Sequence, residues 1–264
     1  AGIPASLDGR IDTTLLQAGI ASRPLPRLGL RADLRYEDRD DNTPLHLYTT
    51  PGATATHNGF NEPRSFRNVI GKAEASYALP ADFRVTGGVE REDRKRNTSP
   101  VRSVSHRDET QETSYKLDLR RSLSATINGA LTLVRSERTG SDWLVNTRNN
   151  GSLGSNLIHP LHLADRDRDK LRLTLDWTPA EPLSLQLMAE TAQDDYSGRT
   201  LGPREGSAQF LSLDAAYTLS ENWQALAWTS RNDTRAEQAT CLGAIATGAV
   251  GATCPSTAGS DSAR

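Results

Sequence analysis

Asp165–Asp195 reads DRDRDKLRLTLDWTPAEPLSLQLMAETAQDD, and its pattern is two strands around a tight turn. From Leu171 to Trp177 the residues alternate, with Leu171, Leu173, Leu175 and Trp177 on one side and Arg172, Thr174 and Asp176 on the other. Thr178-Pro179-Ala180-Glu181-Pro182 interrupts the run, because two prolines fix φ and remove backbone donors. Alternation then resumes, with Leu183, Leu185, Leu187 and Ala189 set against Ser184, Gln186 and Glu190. A period of two is the signature of a strand, since successive side chains leave opposite faces of a sheet. The hairpin is therefore two-sided, with leucines and a Trp on one face and charges on the other.

The same pattern recurs along nearly the whole chain. Ile11–Ala21 is a weakly patterned first strand, followed by a turn at Ser22–Pro26. Leu28, Leu30, Ala32, Leu34 and Tyr36 alternate with Gly29, Arg31, Asp33 and Arg35. A polar segment from Asp38 to about Arg67 separates them from Val69–Tyr77, which turns at Leu79–Asp82 into Phe83–Val89. After a charged loop, Arg91–His106, come Tyr115–Arg120 and Leu123–Leu133. A second long loop, from about Glu137 to Ala164, leads to the opening hairpin. A last hairpin runs from Leu211 to Tyr217, turns at Leu219–Asn222 and continues through Trp223, Ala225 and Ala227. The count is about ten strands of roughly ten residues, the length a tilted strand needs to cross a bilayer.

Short turns alternate with long loops, as in outer-membrane barrels. The expected fold is all-β: an antiparallel up-and-down transmembrane β-barrel of which this chain supplies about ten strands. Residues 1–264 form part of one domain, with a loop-rich tail at 235–264. Aromatic residues sit at strand ends, with Tyr77, Phe83, Trp177, Tyr217 and Trp223 beside short turns and Tyr36 and Tyr196 toward long loops. That placement suits two interfacial girdles.

Composition agrees. The 264 residues are 36% hydrophobic and 24% charged, with a mean hydropathy of -0.58. No apolar run is long enough for a transmembrane helix, but a barrel strand needs apolar residues only at alternate positions. A net charge of -2 gives no reason to expect nucleic acid as a partner. The N-terminal AGIPASLDGRID lacks the basic region and apolar core of a signal peptide, and the expectation is a piece of a longer protein. Cys241 and Cys254 enclose twelve residues of the tail, a spacing suited to a loop disulfide in an oxidising compartment. No C-x-x-C-H is present, so the chain itself carries no c-type haem or other cofactor.

The polar face supplies the candidate partner contacts: Arg31, Asp33, Arg35, Lys72, Glu74, Lys116, Asp118, Arg172, Asp176 and Glu190. Asp38–Asn42 and Asp165–Asp169 have the carboxylate density of calcium sites, but their interleaved arginines point to salt-bridged rim ladders instead. Asp194-Asp195 with His106, His159 or His162 is the remaining catalytic arrangement, that of a rim-active hydrolase. We expect no enzyme and no metal site.

Three stretches carry a family likeness: LGLRADLRYEDRDDNTP (Leu28–Pro44), Asn61-Glu62-Pro63 leading to Arg67-Asn68, and LADRDRDKLRLTLDWTPAEPLSLQL followed by Asp194-Asp195-Tyr196. Together they resemble the MtrB/PioB family of decahaem-associated outer-membrane β-barrel proteins. The resemblance implies a large barrel in the bacterial outer membrane that sheathes a periplasmic multihaem c-type cytochrome. Electrons then pass across the membrane to or from external partners, a surface cytochrome among them. Family members are much longer than this chain, and the N-terminal C-x-x-C of some members is absent. A general or substrate-specific porin is the alternative function.

Overall fold

The computed structural model describes residues 6–48, 59–97, 105–144, 159–196, 202–240 and 259–263. Ten long strands carry the chain: β1 (Ile11–Leu25), β2 (Leu28–Asp41), β5 (Phe66–Ala78), β6 (Phe83–Arg96), β7 (Glu109–Ser122), β8 (Ile127–Gly140), β9 (Arg166–Ala180), β10 (Leu183–Asp195), β11 (Gly202–Ser220) and β12 (Trp223–Thr240). A short pair, β3 (Leu47–Tyr48) and β4 (Gly59–Phe60), stands apart, and β13 (Gly259–Ala263) adds to β12. The main sheet has eleven antiparallel strands in sequence order, with β1 and β13 at its two edges. The tail thus contributes a strand where only loop was expected. Cys241 and Cys254 lie outside the described residues.

The expected strand cores hold, but the strands run longer than their apolar patterning. Arg91–Arg96, read as loop, is the end of β6, and Glu137–Gly140 the end of β8. β9 continues through Pro179 to Ala180, so the turn is only Glu181–Pro182. The proline's missing N–H falls where the β9–β10 register shifts, between Leu183 and Leu185. The first turn likewise narrows to Pro26–Arg27.

Register places the apolar set on one face across the sheet. Leu34 pairs Gly71, Ala73 pairs Val89, Leu117 pairs Leu133, Leu131 pairs Leu173, and Leu187 pairs both Leu175 and Leu213. Burial is inverted relative to a water-soluble sheet. Leu133 and Leu173 are 46% and 47% exposed, whereas Asp118 and Ser136 on the other face are 3% and 5% exposed. Strand packing is confined to hydrogen-bonded neighbours, and no second layer covers the leucines among the described residues. The polar face is concave: one hollow of 590 Å³ takes Ala21, Arg31, Glu74, Thr86 and Asp118 from five successive strands of the sheet.

The apolar band is seven to nine residues tall, from Leu171–Trp177 on β9 to Leu28–Tyr36 on β2. At about 3.3 Å per residue it covers about 20–27 Å along a strand, close to the band of an outer-membrane barrel. Tyr77, Phe83, Trp177, Tyr217 and Trp223 mark its short-turn edge on the apolar face, where the Arg121 guanidinium lies 4.5 Å from the Phe83 ring. At the other edge Tyr36 fits the girdle, its hydroxyl donating to Asp38 at 2.9 Å. Tyr196 does not: its hydroxyl reaches Asp194 on the polar face. Above the band the strands continue as a collar charged on both faces.

The β5–β6 hairpin turns through Ala81 and Asp82, both in the left-handed region at φ 58° and 59°. Two consecutive positive φ values make the primed turn that matches strand twist, a geometry favouring Asn and Gly. Ala81→Gly removes the Cβ penalty and is expected to raise stability by about 1 kcal/mol. Denaturant titration of the refolded protein in lipid measures it, and a loss of stability would contradict the turn assignment.

Candidate functional site

The polar face carries several groups of ion pairs. Alternation within β2 places Arg31, Asp33 and Arg35 on it, and Arg31 bonds Asp33 at 2.7 Å while Arg35 bonds Glu37 at 2.7 Å. On β5, Lys72 and Glu74 pair at 3.1 Å. Glu74 also reaches Lys116 of β7 at 3.8 Å, across the intervening β6. Gly88 stands between the two, and a Cβ there would lie 3.0 Å from Cγ of Glu74, so the bare backbone leaves the crossing open. Asp118 accepts from the Thr132 hydroxyl and from Arg120 Nε, both at 2.7 Å. Glu190 of β10 receives Arg172 Nε at 2.6 Å and Lys170 at 2.9 Å, and Asp176 accepts from the Gln186 amide at 2.7 Å. All ten candidate residues share one face by register, and each has an ion-pair or hydrogen-bond partner there.

The charge clusters at the rim resolve into ladders. Alternation sends Arg166 and Arg168 to the polar face and Asp167 and Asp169 to the other. Arg166 meets Glu112 at 2.8 Å and Arg168 clamps Asp194, while Asp169 and Asp167 share Arg135 at 2.6 and 3.3 Å. Asp38 takes Arg67 at 3.1 Å, and Asp41 accepts backbone N–H groups of Thr43 and Arg64. Among the described residues no His, Cys, Asp and Glu group is placed to hold a metal. Asp194 and Asp195 leave opposite faces of β10, pairing Arg168 and Asp167 respectively in register. They form no catalytic pair.

A cap that the strand periodicity does not announce covers the polar face at the long-loop end. Pro160–Ala164 forms a tight turn, with the N–H groups of Leu163 and Ala164 donating to Pro160 O. Arg138, on the polar face of β8, donates to Leu161 O at 2.6 Å and Ala164 O at 2.9 Å, which seats this turn on that face. Leu163 is 1% exposed and Arg107 4%. Arg107 donates to Leu163 O at 3.2 Å and to Asp165 at 2.6 Å, and lies 4.5 Å from the Trp143 ring, which stacks on His159 at 3.5 Å. A backbone bridge between His106 and Leu144 closes the assembly. Trp143, an aromatic inside the long loop, is the cue the sequence holds for it. His106, His159 and His162 all belong to this cap.

Burial and the charges of Arg96 and Arg138 hold the His162 pKa below its usual 6.5. The folded cap thus binds fewer protons than the unfolded segment, so it contributes stability above pH 6.5 that is lost as the pH falls through the lower folded value. Hydrogen exchange of residues 159–165, corrected for intrinsic rates, is expected to accelerate below that pH. His162→Gln should abolish the dependence.

A family model described as "Putative outer membrane beta-barrel porin, MtrB/PioB" matches residues 1–262. The chain belongs to the MtrB/PioB family. Outer membrane protein MtrB of Shewanella baltica (strain OS185) is 23% identical over 234 residues, covering 89% of this chain and 33% of that protein. The chain therefore spans a third of the length of this relative. The family model and this relative both identify it as an outer-membrane protein.

Proposed function

We propose that this chain is a section of the wall of a closed outer-membrane β-barrel that sheathes a periplasmic multihaem c-type cytochrome and enables electron transfer across the membrane. The observation that carries the reading is the inverted burial of the sheet. The face bearing Leu133 and Leu173 is left open for acyl chains, and the face bearing Asp118, Arg172 and Glu190 curves inward. Closure requires strands beyond β1 and β13, in keeping with a relative three times as long. The barrel does no redox chemistry. It supplies an insulated passage, and its charge rows offer a docking surface for a polar partner, with Arg172, Asp176 and Glu190 in the central rows. A surface cytochrome at the long-loop end and outer-membrane lipid around the band complete the partner set.

The full-length protein, purified from its membrane, is expected to retain a partner with c-type haem absorbance. Charge reversal at Arg172 and Glu190 together should lower that retention without altering barrel assembly. The other reading is a porin, favoured by the family description and by the hollows along the polar face. Solute flux through reconstituted barrels with no haem-bearing partner retained would select it over the cytochrome sheath.

A further inference from the structure

Beneath the cap lies a cavity of 570 Å³, between the Pro160–Leu163 turn and the polar face of the sheet. Its wall has five arginines, Arg39, Arg64, Arg94, Arg96 and Arg138, against three glutamates, Glu62, Glu92 and Glu112. The glutamates do not neutralise them evenly. Glu62 takes Arg64 at 2.9 Å and Glu92 takes Arg94 at 2.9 Å. Glu112 is drawn to Arg166 at 2.8 Å, leaving Arg138 at 3.9 Å, and Arg138 also donates to the backbone of the cap. Arg39 and Arg96 have no carboxylate within ion-pair distance among the described residues, and Arg96 bonds only the Thr110 hydroxyl at 2.9 Å. The Nε of Arg94 is buried without an acceptor. Guanidinium groups therefore outnumber carboxylates around a partly open cavity, with a positive surplus of two charges among its Arg and Glu side chains. His162, in the same wall, has its pKa lowered first by burial and then by the neighbouring charges of Arg96, Arg138 and Arg64.

We propose that this cavity is a binding site for a dianionic tetrahedral oxyanion, of the phosphate or sulfate kind. Guanidinium forks match the oxygen spacing of such groups and bind them bidentately. A double negative charge balances the surplus. The volume admits an inorganic oxyanion with water, or a small solute bearing one, and excludes a folded partner. The cavity opens on the polar face, away from the leucine band, so the anion comes from the aqueous phase and not from a lipid headgroup. Arg39 and Arg96 are the principal ligands, because their charge is not already matched. This site does not depend on the cytochrome reading, since it would work equally in an open porin, where it would favour passage of such anions.

The test is calorimetric titration of the full-length protein in nanodiscs of zwitterionic lipid with inorganic phosphate at pH 8, where His162 is neutral. Saturable binding is expected, with sulfate competing and chloride not. The double variant Arg39→Gln/Arg96→Gln should bind at least about tenfold more weakly. Arg231→Gln, on the other face and paired with Asp233, should match the parent. Heat-modifiable gel migration shows whether the double variant has folded; if it has not, Arg39→Gln alone replaces it, with the same direction expected. Absence of saturable phosphate binding, or equal affinity in parent and folded variant, overturns the proposal. Neither result bears on haem retention, so the two readings fail separately.

Discussion

Leu173→Arg is expected to cost about 2–4 kcal/mol of stability in lipid, or to block assembly outright, because it sets a cation in the middle of the apolar band. Leu173 pairs Leu131 on one side and Ala189 on the other, so no acidic neighbour on that face can take the charge. The adjacent Thr174→Arg should cost less than about 1 kcal/mol, since that side chain enters a face already rich in ions. In a water-soluble sheet the order would be reversed: an exposed leucine is the position that accepts arginine most readily. Denaturant titration in vesicles, or the fraction of heat-modifiable protein after refolding, measures both variants. If Leu173→Arg were as stable as Thr174→Arg, the leucine face would not be in contact with acyl chains, and the wall assignment would be wrong.

The alternation that identifies these strands is legible for a physical reason. In the band one face meets hydrocarbon and the other water, so each residue's type reports its side. Leu171–Trp177 and Leu183–Ala189 could be placed from sequence because both constraints act at once. In the collar both faces meet water, and the constraint disappears. Arg91, Asp93 and Lys95 leave one face of β6 while Glu92, Arg94 and Arg96 leave the other, yet the backbone ladder continues unchanged through Phe66↔Arg96. Hydrogen bonding maintains the strand there without any hydrophobic signature, so the segment reads as a charged loop. Ion pairs such as Lys95 with Glu109, set opposite by register, help hold the collar.

The ten candidate contacts could be assigned to one face because parity alone decides that. Pairs two residues apart, such as Arg31 with Asp33 and Lys72 with Glu74, follow from the alternation, but the cross-strand ones could not be read, since their partners lie 18 residues apart, as for Arg172 and Glu190, or two strands apart, as for Glu74 and Lys116. The crossing at Gly88 depends on a missing Cβ, which looks in sequence like any strand glycine. The Asp194-Asp195 pair shows the converse. Adjacent carboxylates suggest a shared site, but in a strand adjacency means separation, because the sheet itself lies between them. The cap was least legible of all. It joins residues near 107, 143 and 163, three loop segments with no periodicity, through contacts that only the folded loops create.

Arg107 makes those contacts, and Arg107→Ala is the second substitution expected to act strongly. One guanidinium serves three segments: its own, next to the bridge of His106 with Leu144; the Trp143 ring; and the turn carrying Leu163 and Asp165. Removal leaves the carbonyl of buried Leu163 without this donor and uncovers one face of the Trp143–His159 stack. A fully buried ion pair broken on one side costs about 3–5 kcal/mol. Here Asp165 keeps 42% of its side-chain surface in water and can turn outward, so the loss is closer to that of charge-assisted hydrogen bonds, about 2–3 kcal/mol. The cost is local, because the backbone ladders of β6–β9 run from strand to strand and do not pass through the cap turn. Hydrogen exchange in residues 159–165 should accelerate about 30- to 150-fold, with the strand amides of β6–β9 unaffected. Arg107→Lys retains the charge but loses the planar fork, and should fall between the two. In a reconstituted barrel the same variant should raise ion conductance, since the segment released is the one that covers the polar face at the long-loop end. Unchanged exchange and conductance in Arg107→Ala would mean that the loops stay seated without it, and that Arg138, through Leu161 and Ala164, is enough to hold the turn on the wall.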